Sequence, residues 1–177
     1  MKIKAKCKFD YQTIKALTHA TLFYKSGNPK KRFITYLVLC IVLLIVNIIA
    51  MIFMFDITFL LLLIVALLMF LLECYLYLVL PKIRYKALAN MKETENEYTF
   101  CDDVVKVVSI NNDFNGVAEL EYSIFIKLYE TSKYFFVFQT QNQVYIVDKS
   151  TIEYGTAEEI RNKLLSNVNI KYIASEF

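Results

Sequence analysis

Glycine, proline, histidine and tryptophan are all scarce in this 177-residue chain: three glycines, two prolines, one histidine and no tryptophan. Three scattered glycines leave no room for a glycine-rich loop that cradles phosphate. A Ser/His/Asp or Cys/His nucleophilic site would have to use His19, around which no motif is built. The cysteines, Cys7, Cys40, Cys74 and Cys101, form no CxxC or other metal-like spacing. Asp102-Asp103 reads as a turn between strands, where adjacent side chains diverge, and not as a paired general acid and base. These absences point to a non-enzymatic protein, with no cofactor and no metal indicated.

What the chain has in abundance is apolar sequence. Phe33 to Phe55 and Ile57 to Leu80 are nearly unbroken hydrophobic runs with only Asp56 between them. A helix crossing a hydrocarbon core of about 30 Å needs roughly 20 such residues. The pair predicts a transmembrane hairpin pivoting on Asp56 (33–55 and 57–80). It separates a cytoplasmic strand and helix (1–32) from a basic juxtamembrane linker (81–92) and a β-rich domain (93–177).

Charge is divided unevenly along this frame. Met1 to Arg32 holds nine Lys/Arg against one acid, whereas Glu93 to Phe177 holds seven against fourteen acids. Basic residues flank both inner ends of the hairpin and none lies in its turn, which predicts two cytoplasmic termini. A cleaved signal peptide fits poorly, because the basic segment is long and a second span follows at once. Lys30, Lys31, Arg32, Lys82, Arg84 and Lys86 are expected to meet anionic lipid headgroups of the bilayer. The acidic balance of the C-terminal domain argues against nucleic acid as a partner.

Residues Lys2 to Phe9 alternate with period two, which predicts a half-buried strand. Its apolar face is expected to join the fold of the C-terminal domain. Asp10 stands at the N-cap of a helix from Tyr11 to Lys25, which Ser26-Gly27-Asn28-Pro29 ends. This helix, with Ile14, Leu17, Thr21 and Tyr24 on one side and Gln12, Lys15 and His19 on the polar stripe, either lies on the membrane surface or packs on the C-terminal domain. Strands are expected at Glu97 to Cys101, Val104 to Ile110 and Val117 to Tyr122, with a long turn from Asn111 to Gly116. Ser123 is read as capping a short helix or turn through Thr131. Tyr134 to Thr140 and Val144 to Val147 form a hairpin, and the aromatic run Tyr134 to Phe138 reads as a strand buried on both faces. Thr156-Ala157-Glu158-Glu159 is a capping box. It opens a final helix with Ile160, Leu164 and Val168 on its core face.

Four residues stand out as candidate polar or interaction positions: Glu73, Tyr36, Asn47 and Lys149. Glu73 is an ionisable group within a span, which is expensive in lipid. An antiparallel hairpin about Asp56 sets Glu73 level with Leu39, near Tyr36 and Cys40, where it reaches toward water or Tyr36, or else touches a second copy. Asn47 shares the face of Tyr36, Cys40 and Leu43 but lies roughly 12 Å away in depth at about 1.5 Å per residue, too far to pair with Glu73. Lys149 reads as a solvated lysine at a strand end or a contact for an acidic headgroup or partner.

The stretch Val144 to Ile152, VYIVDKSTI, followed by the capped helix at Thr156, resembles the YcxB-like family of small bacterial membrane proteins. It is similar to that family's aromatic-Ile-Ile-Pro-Lys-x-x-Phe stretch. Lys149 matches the pattern's lysine, while Asp148 replaces its Pro, Ile152 its Phe, and Tyr122 stands near its usual tryptophan. The resemblance implies an α+β membrane protein of the bacterial inner membrane. A cytoplasmic antiparallel sheet closed by a C-terminal helix would give it a pleckstrin-homology-like domain. The expected role is a membrane-anchored module that binds a protein or lipid headgroup, or self-associates. The alternative is a subunit of a transport or channel assembly built on polar residues of the hairpin.

Overall fold

The computed structural model describes residues 2–23, 28–53, 57–88, 94–111, 114–166 and 170–174. The hairpin turn at Asp56, Tyr24, the 89–93 link and Val168 lie outside the described residues. The architecture is α+β: two long apolar helices and two four-stranded sheets.

The N-terminal strand β1 (Ile3–Lys8) alternates buried and exposed, as its sequence does. It pairs antiparallel with β2 (Glu95–Phe100), which pairs with β3 (Val104–Asn111), which pairs with β4 (Phe114–Glu121). Strands β3 and β4 run further than the expected turn from Asn111 to Gly116 allowed, since Asn111 already pairs with Phe114. The second sheet is built from β5 (Lys127–Glu130), β6 (Tyr134–Phe138), β7 (Val144–Asp148) and β8 (Lys171–Ala174) in the order β7-β6-β5-β8.

Two expectations fail in this sheet. The segment after Ser123 is one 3₁₀ turn (Tyr122–Ile124) and then β5, not a helix or turn through Thr131. The Ser123 hydroxyl donates to the Glu121 carboxylate at 3.0 Å, so it caps no helix. The C-terminal helix α5 (Ala157–Leu165) is not the last element, because β8 follows and pairs parallel with β5. The capping box is formed in full, and Ile160 and Leu164 are completely buried.

The two sheets share one core. Strand β1 forms the corner: Lys4 exchanges backbone hydrogen bonds with Glu153, and Thr151 Oγ1 accepts from the Lys6 N–H and donates to the Lys6 carbonyl. This covers an edge that would otherwise be open to pairing. All five residues of β6 are buried, so the aromatic run is core.

Helix α1 (Tyr11–Phe23) buries Thr13, Ile14, Thr18, His19, Ala20 and Phe23. The helix is wedged between the sheet domain and the foot of the long helices. Tyr11 meets Tyr85 edge-on at 5.8 Å, and the Arg84 guanidinium donates to Thr21 Oγ1 at 3.4 Å. Helix α2 (Pro29–Phe53) starts four residues before the expected span. Asn28 Oδ1 accepts from the N–H groups of Lys30 and Lys31, and Pro29 takes the first helical position, where its missing N–H costs nothing. The second long helix comprises α3 (Ile57–Cys74), a π-helical segment (Tyr75–Val79) and α4 (Leu80–Ala87). The π segment precedes Pro81, whose ring crowds the previous turn and whose nitrogen donates nothing.

Candidate functional site at the foot of the long helices

The long helices touch along a narrow seam in which Cys40, Asn47 and Ala66 are buried. The Asn47 amide donates back to the Leu43 carbonyl at 2.8 Å. Its polar group is thus met within its own helix, and it makes no pair with Glu73.

Glu73 is paired, but with a residue assigned above to lipid headgroups. Arg32 Nη2 lies 3.2 Å from Glu73 Oε1, with both side chains largely shielded. The guanidinium also sits 4.9 Å from the Phe23 ring centroid and 5.1 Å from that of Tyr36. The structure therefore gathers Glu73 and Tyr36 around Arg32. The sequence offered Glu73 water or Tyr36; the structure adds Arg32, one of the residues expected at headgroups, as its ion-pair partner beside Tyr36. The early start of α2 makes Arg32 a helical residue, one turn before Tyr36.

Lys149 is not simply a solvated lysine, because its side chain is largely shielded and engaged within the fold. It sits in a 3₁₀ turn (Lys149–Thr151), its ammonium donating to Glu130 Oε1 and to the Thr131 carbonyl, each at 2.6 Å. Arg161 donates to the same carboxylate through Nε and Nη2, and the Tyr172 hydroxyl donates to Oε2 at 2.7 Å. Burial by itself would raise the Glu130 pKa. The bonds from Arg161, Lys149 and Tyr172 outweigh it and hold the carboxyl down at about 2. Nothing in the local sequence Lys127-Leu128-Tyr129-Glu130 marks this, because its partners come from three distant elements.

Next to Phe23, which Arg32 also contacts, His19, Tyr77 and Phe33 form a stack. The His19 and Tyr77 rings are 4.5 Å apart, and the Tyr77 and Phe33 rings 4.3 Å. Pro81 cannot supply the N–H that an α-helix would offer the Tyr77 carbonyl. His19 Nε2 stands 3.1 Å from that oxygen. A carbonyl only accepts, so Nε2 carries the proton. Burial lowers the His19 pKa, which favours the neutral ring.

Beside this stack opens a cleft of about 250 Å³. Three lysines from three elements line it: Lys15 of α1, Lys30 at the start of α2, and Lys133 in the turn between β5 and β6. His19, Pro29, Tyr77 and Tyr134 supply apolar and aromatic walls. The Lys15 ammonium is 5.8 Å from the Tyr77 ring centroid, and the Lys133 ammonium is 5.0 Å from that of Tyr134. Lys133 is also 3.7 Å from the Asp148 carboxylate, but no acidic residue appears among the described lining of the cleft. The arrangement suits an anion that carries polar oxygens at one end. Lys30 is legible in the sequence as one of the basic residues of this region. Lys15 and Lys133 are not legible as partners, because 118 positions of chain separate them. Lys31, Lys82, Arg84 and Lys86 are exposed on the long helices.

No curated protein and no solved structure matches the chain. A family model does: residues 110–164, from the end of β3 to the last turn of α5, match the model described as YcxB-like protein. That span holds the Val144 to Ile152 stretch, the capping box at Thr156, and the Glu130, Lys149 and Arg161 cluster, so the chain carries a YcxB-like region.

Proposed function

We propose that this is a membrane-anchored, non-enzymatic binding protein whose lysine-lined cleft receives an anionic lipid headgroup. The observation that carries the reading is the convergence of Lys15, Lys30 and Lys133 on one cleft at the foot of two exposed apolar helices. Those helices are 25 and 31 residues long, and only 11% of the most apolar window of each is buried within the molecule. Water does not tolerate an apolar surface of that extent, so a bilayer is the fitting surround. Basic residues at the inner ends support a cytoplasmic site for both termini in a bacterial cell membrane. The two sheets folded over one core, with α5 packed into it, support a pleckstrin-homology-like relationship. The pairing of Glu73 with Arg32 supports an anchoring role for these polar residues over an ion path.

Each lysine near an anionic surface contributes about 1 kcal/mol, so three lysines on one headgroup amount to a selectivity that can be measured. The full chain, solubilised in detergent with equimolar phosphatidylglycerol and phosphatidylcholine, is examined by native mass spectrometry. Retention of phosphatidylglycerol over phosphatidylcholine is expected. The combined Lys15→Gln, Lys30→Gln and Lys133→Gln variant should lose that preference. Equal retention of the two lipids by the native sequence, or an unchanged preference in the variant, refutes the reading.

A further inference from the structure

His19 is the only histidine of the chain, and it stands in the wall of the lysine cleft. Histidine is the side chain whose ordinary charge change falls between about pH 5 and 8. Here the residue is 7% exposed and closely held. Its ring tilts against Phe23 at 5.7 Å and stacks on Tyr77, which in turn stacks on Phe33 of α2. Nε2 is committed to the Tyr77 carbonyl, whereas Nδ1 has no hydrogen-bond partner among the described residues. A proton can therefore be added at Nδ1 without breaking the bond that holds the ring.

The charged groups that line the cleft with His19 are all cationic among the described residues. Lys15 lies one turn before it on α1, Lys30 comes from the start of α2, and Lys133 from the turn between β5 and β6. Tyr77 and Tyr134 complete the titratable groups of the wall. The acids stand outside it: Asp10 and Asp148 act on Lys133, and Glu73 is paired with Arg32, which contacts Phe23. These surroundings oppose a charged imidazolium. Burial holds the His19 pKa below its ordinary 6.5, Lys15 lowers it further, and the Tyr77 carbonyl works the other way. An anion in the cleft would shift this balance, because its charge offsets the lysines and favours the imidazolium. Binding the anion and taking up the proton then assist each other to the same degree.

We propose that His19 makes the cleft a pH-dependent anion site. Protonation of the ring adds a fourth positive charge to those of Lys15, Lys30 and Lys133, so an anionic lipid headgroup is held more tightly in acid than at neutral pH. The inference rests on the headgroup reading of the cleft and adds control by pH to it.

For the test, the full chain in non-ionic detergent is equilibrated with equimolar phosphatidylglycerol and phosphatidylcholine at about pH 5 and about pH 8, the ends of the histidine range. Bound lipids are then extracted and quantified. Both are phosphodiesters, whose charge is constant across that range. The bound ratio of phosphatidylglycerol to phosphatidylcholine is expected to be about fivefold higher in acid, the effect of one added charge near an anionic surface. His19→Gln retains a side-chain N–H for the Tyr77 carbonyl but takes up no proton, and its ratio should be the same at both pH values. A second readout needs no substitution at the histidine. The single imidazole gives one Cε1 resonance, whose titration midpoint should move to higher pH when phosphatidylglycerol is added to phosphatidylcholine. The combined Lys15→Gln, Lys30→Gln and Lys133→Gln variant should lose that movement, which a general surface effect would preserve. A native ratio that favours phosphatidylglycerol equally at both pH values overturns this inference and leaves the headgroup reading standing. No preference at either pH overturns both. A rise in acid that persists in His19→Gln, a histidine midpoint indifferent to the lipid, or a movement retained without the three lysines would each overturn the pH control.

Discussion

Glu130 is a carboxylate held almost out of water by side chains from a 3₁₀ turn, a helix and the last strand. Its pKa falls from an ordinary 4.5 to about 2, because the bonds from Arg161, Lys149 and Tyr172 exceed the penalty of burial. A group with a depressed folded pKa contributes stability that is complete above its unfolded pKa and lost as pH falls through the folded one. The unfolding midpoint of the domain should therefore decline between pH 4.5 and 2. Glu130→Gln should be less stable at neutral pH by on the order of 2–3 kcal/mol, since Lys149 and Arg161 would then face each other uncompensated. It should also be flatter across the acid range. Thermal unfolding at a series of pH values checks both. A native-like midpoint at neutral pH together with a retained acid decline would sink the assignment. The same cluster explains why Lys149 looks like a surface residue in one dimension: its partner sits 19 positions earlier on an interior strand.

Among the elements, β1 approaches the start of α5 closely at Gly155. A Cβ added to Gly155 would stand 2.7 Å from Ile3 Cγ1 and 2.8 Å from a carboxylate oxygen of Glu159. Ile3 is 2% exposed, and that Glu159 oxygen accepts the Thr156 N–H to complete the capping box. Neither neighbour yields freely, so Gly155→Ala should destabilise the fold by about 1–3 kcal/mol, the usual cost of overpacking. Chemical denaturation of the full chain in detergent reads this as a lower midpoint with an unchanged slope; an unchanged midpoint would show that β1 and α5 part more easily than their packing implies. Elements with a strong local signal were legible in advance: the alternating β1, the capped α5, the buried β6. Strands β5 and β8 were not. Each is four residues long, and their parallel pairing joins Lys127–Glu130 to Lys171–Ala174, a partnership with no local periodicity.

For the molecule as a whole, α1 acts as the wedge that ties the sheet domain to the long helices, through His19 on the Tyr77 carbonyl and Tyr11 on Tyr85. The proposed orientation has a direct test, and the structure alters how it must be done. Cys7 is a poor reporter: it is 3% exposed, and burial pushes its thiol up to about 12, so it resists labelling on either side of a membrane. Ser150 is exposed, which makes Ser150→Cys the better probe. In intact bacterial cells a membrane-impermeant thiol reagent should leave the introduced thiol unlabelled, and it should label that thiol once the membrane is permeabilised. Rapid labelling in intact cells would reverse the orientation.

The sequence by itself determined the two long helices, the β-rich character of the remainder, the buried aromatic strand and the YcxB-like stretch. Each of these is a property of consecutive residues: hydrophobic length, alternation, a capping box. Tertiary structure decided the rest. It gave Glu73 its partner in Arg32, turned Lys149 from a surface lysine into one of the groups that hold Glu130, and buried a histidine that the helical pattern had set on the polar side. It also brought Lys15 and Lys133 to one cleft. In every such case the deciding interaction lies between residues far apart in the chain. Desolvation and charge pairing then act on neighbours that only the folded molecule provides.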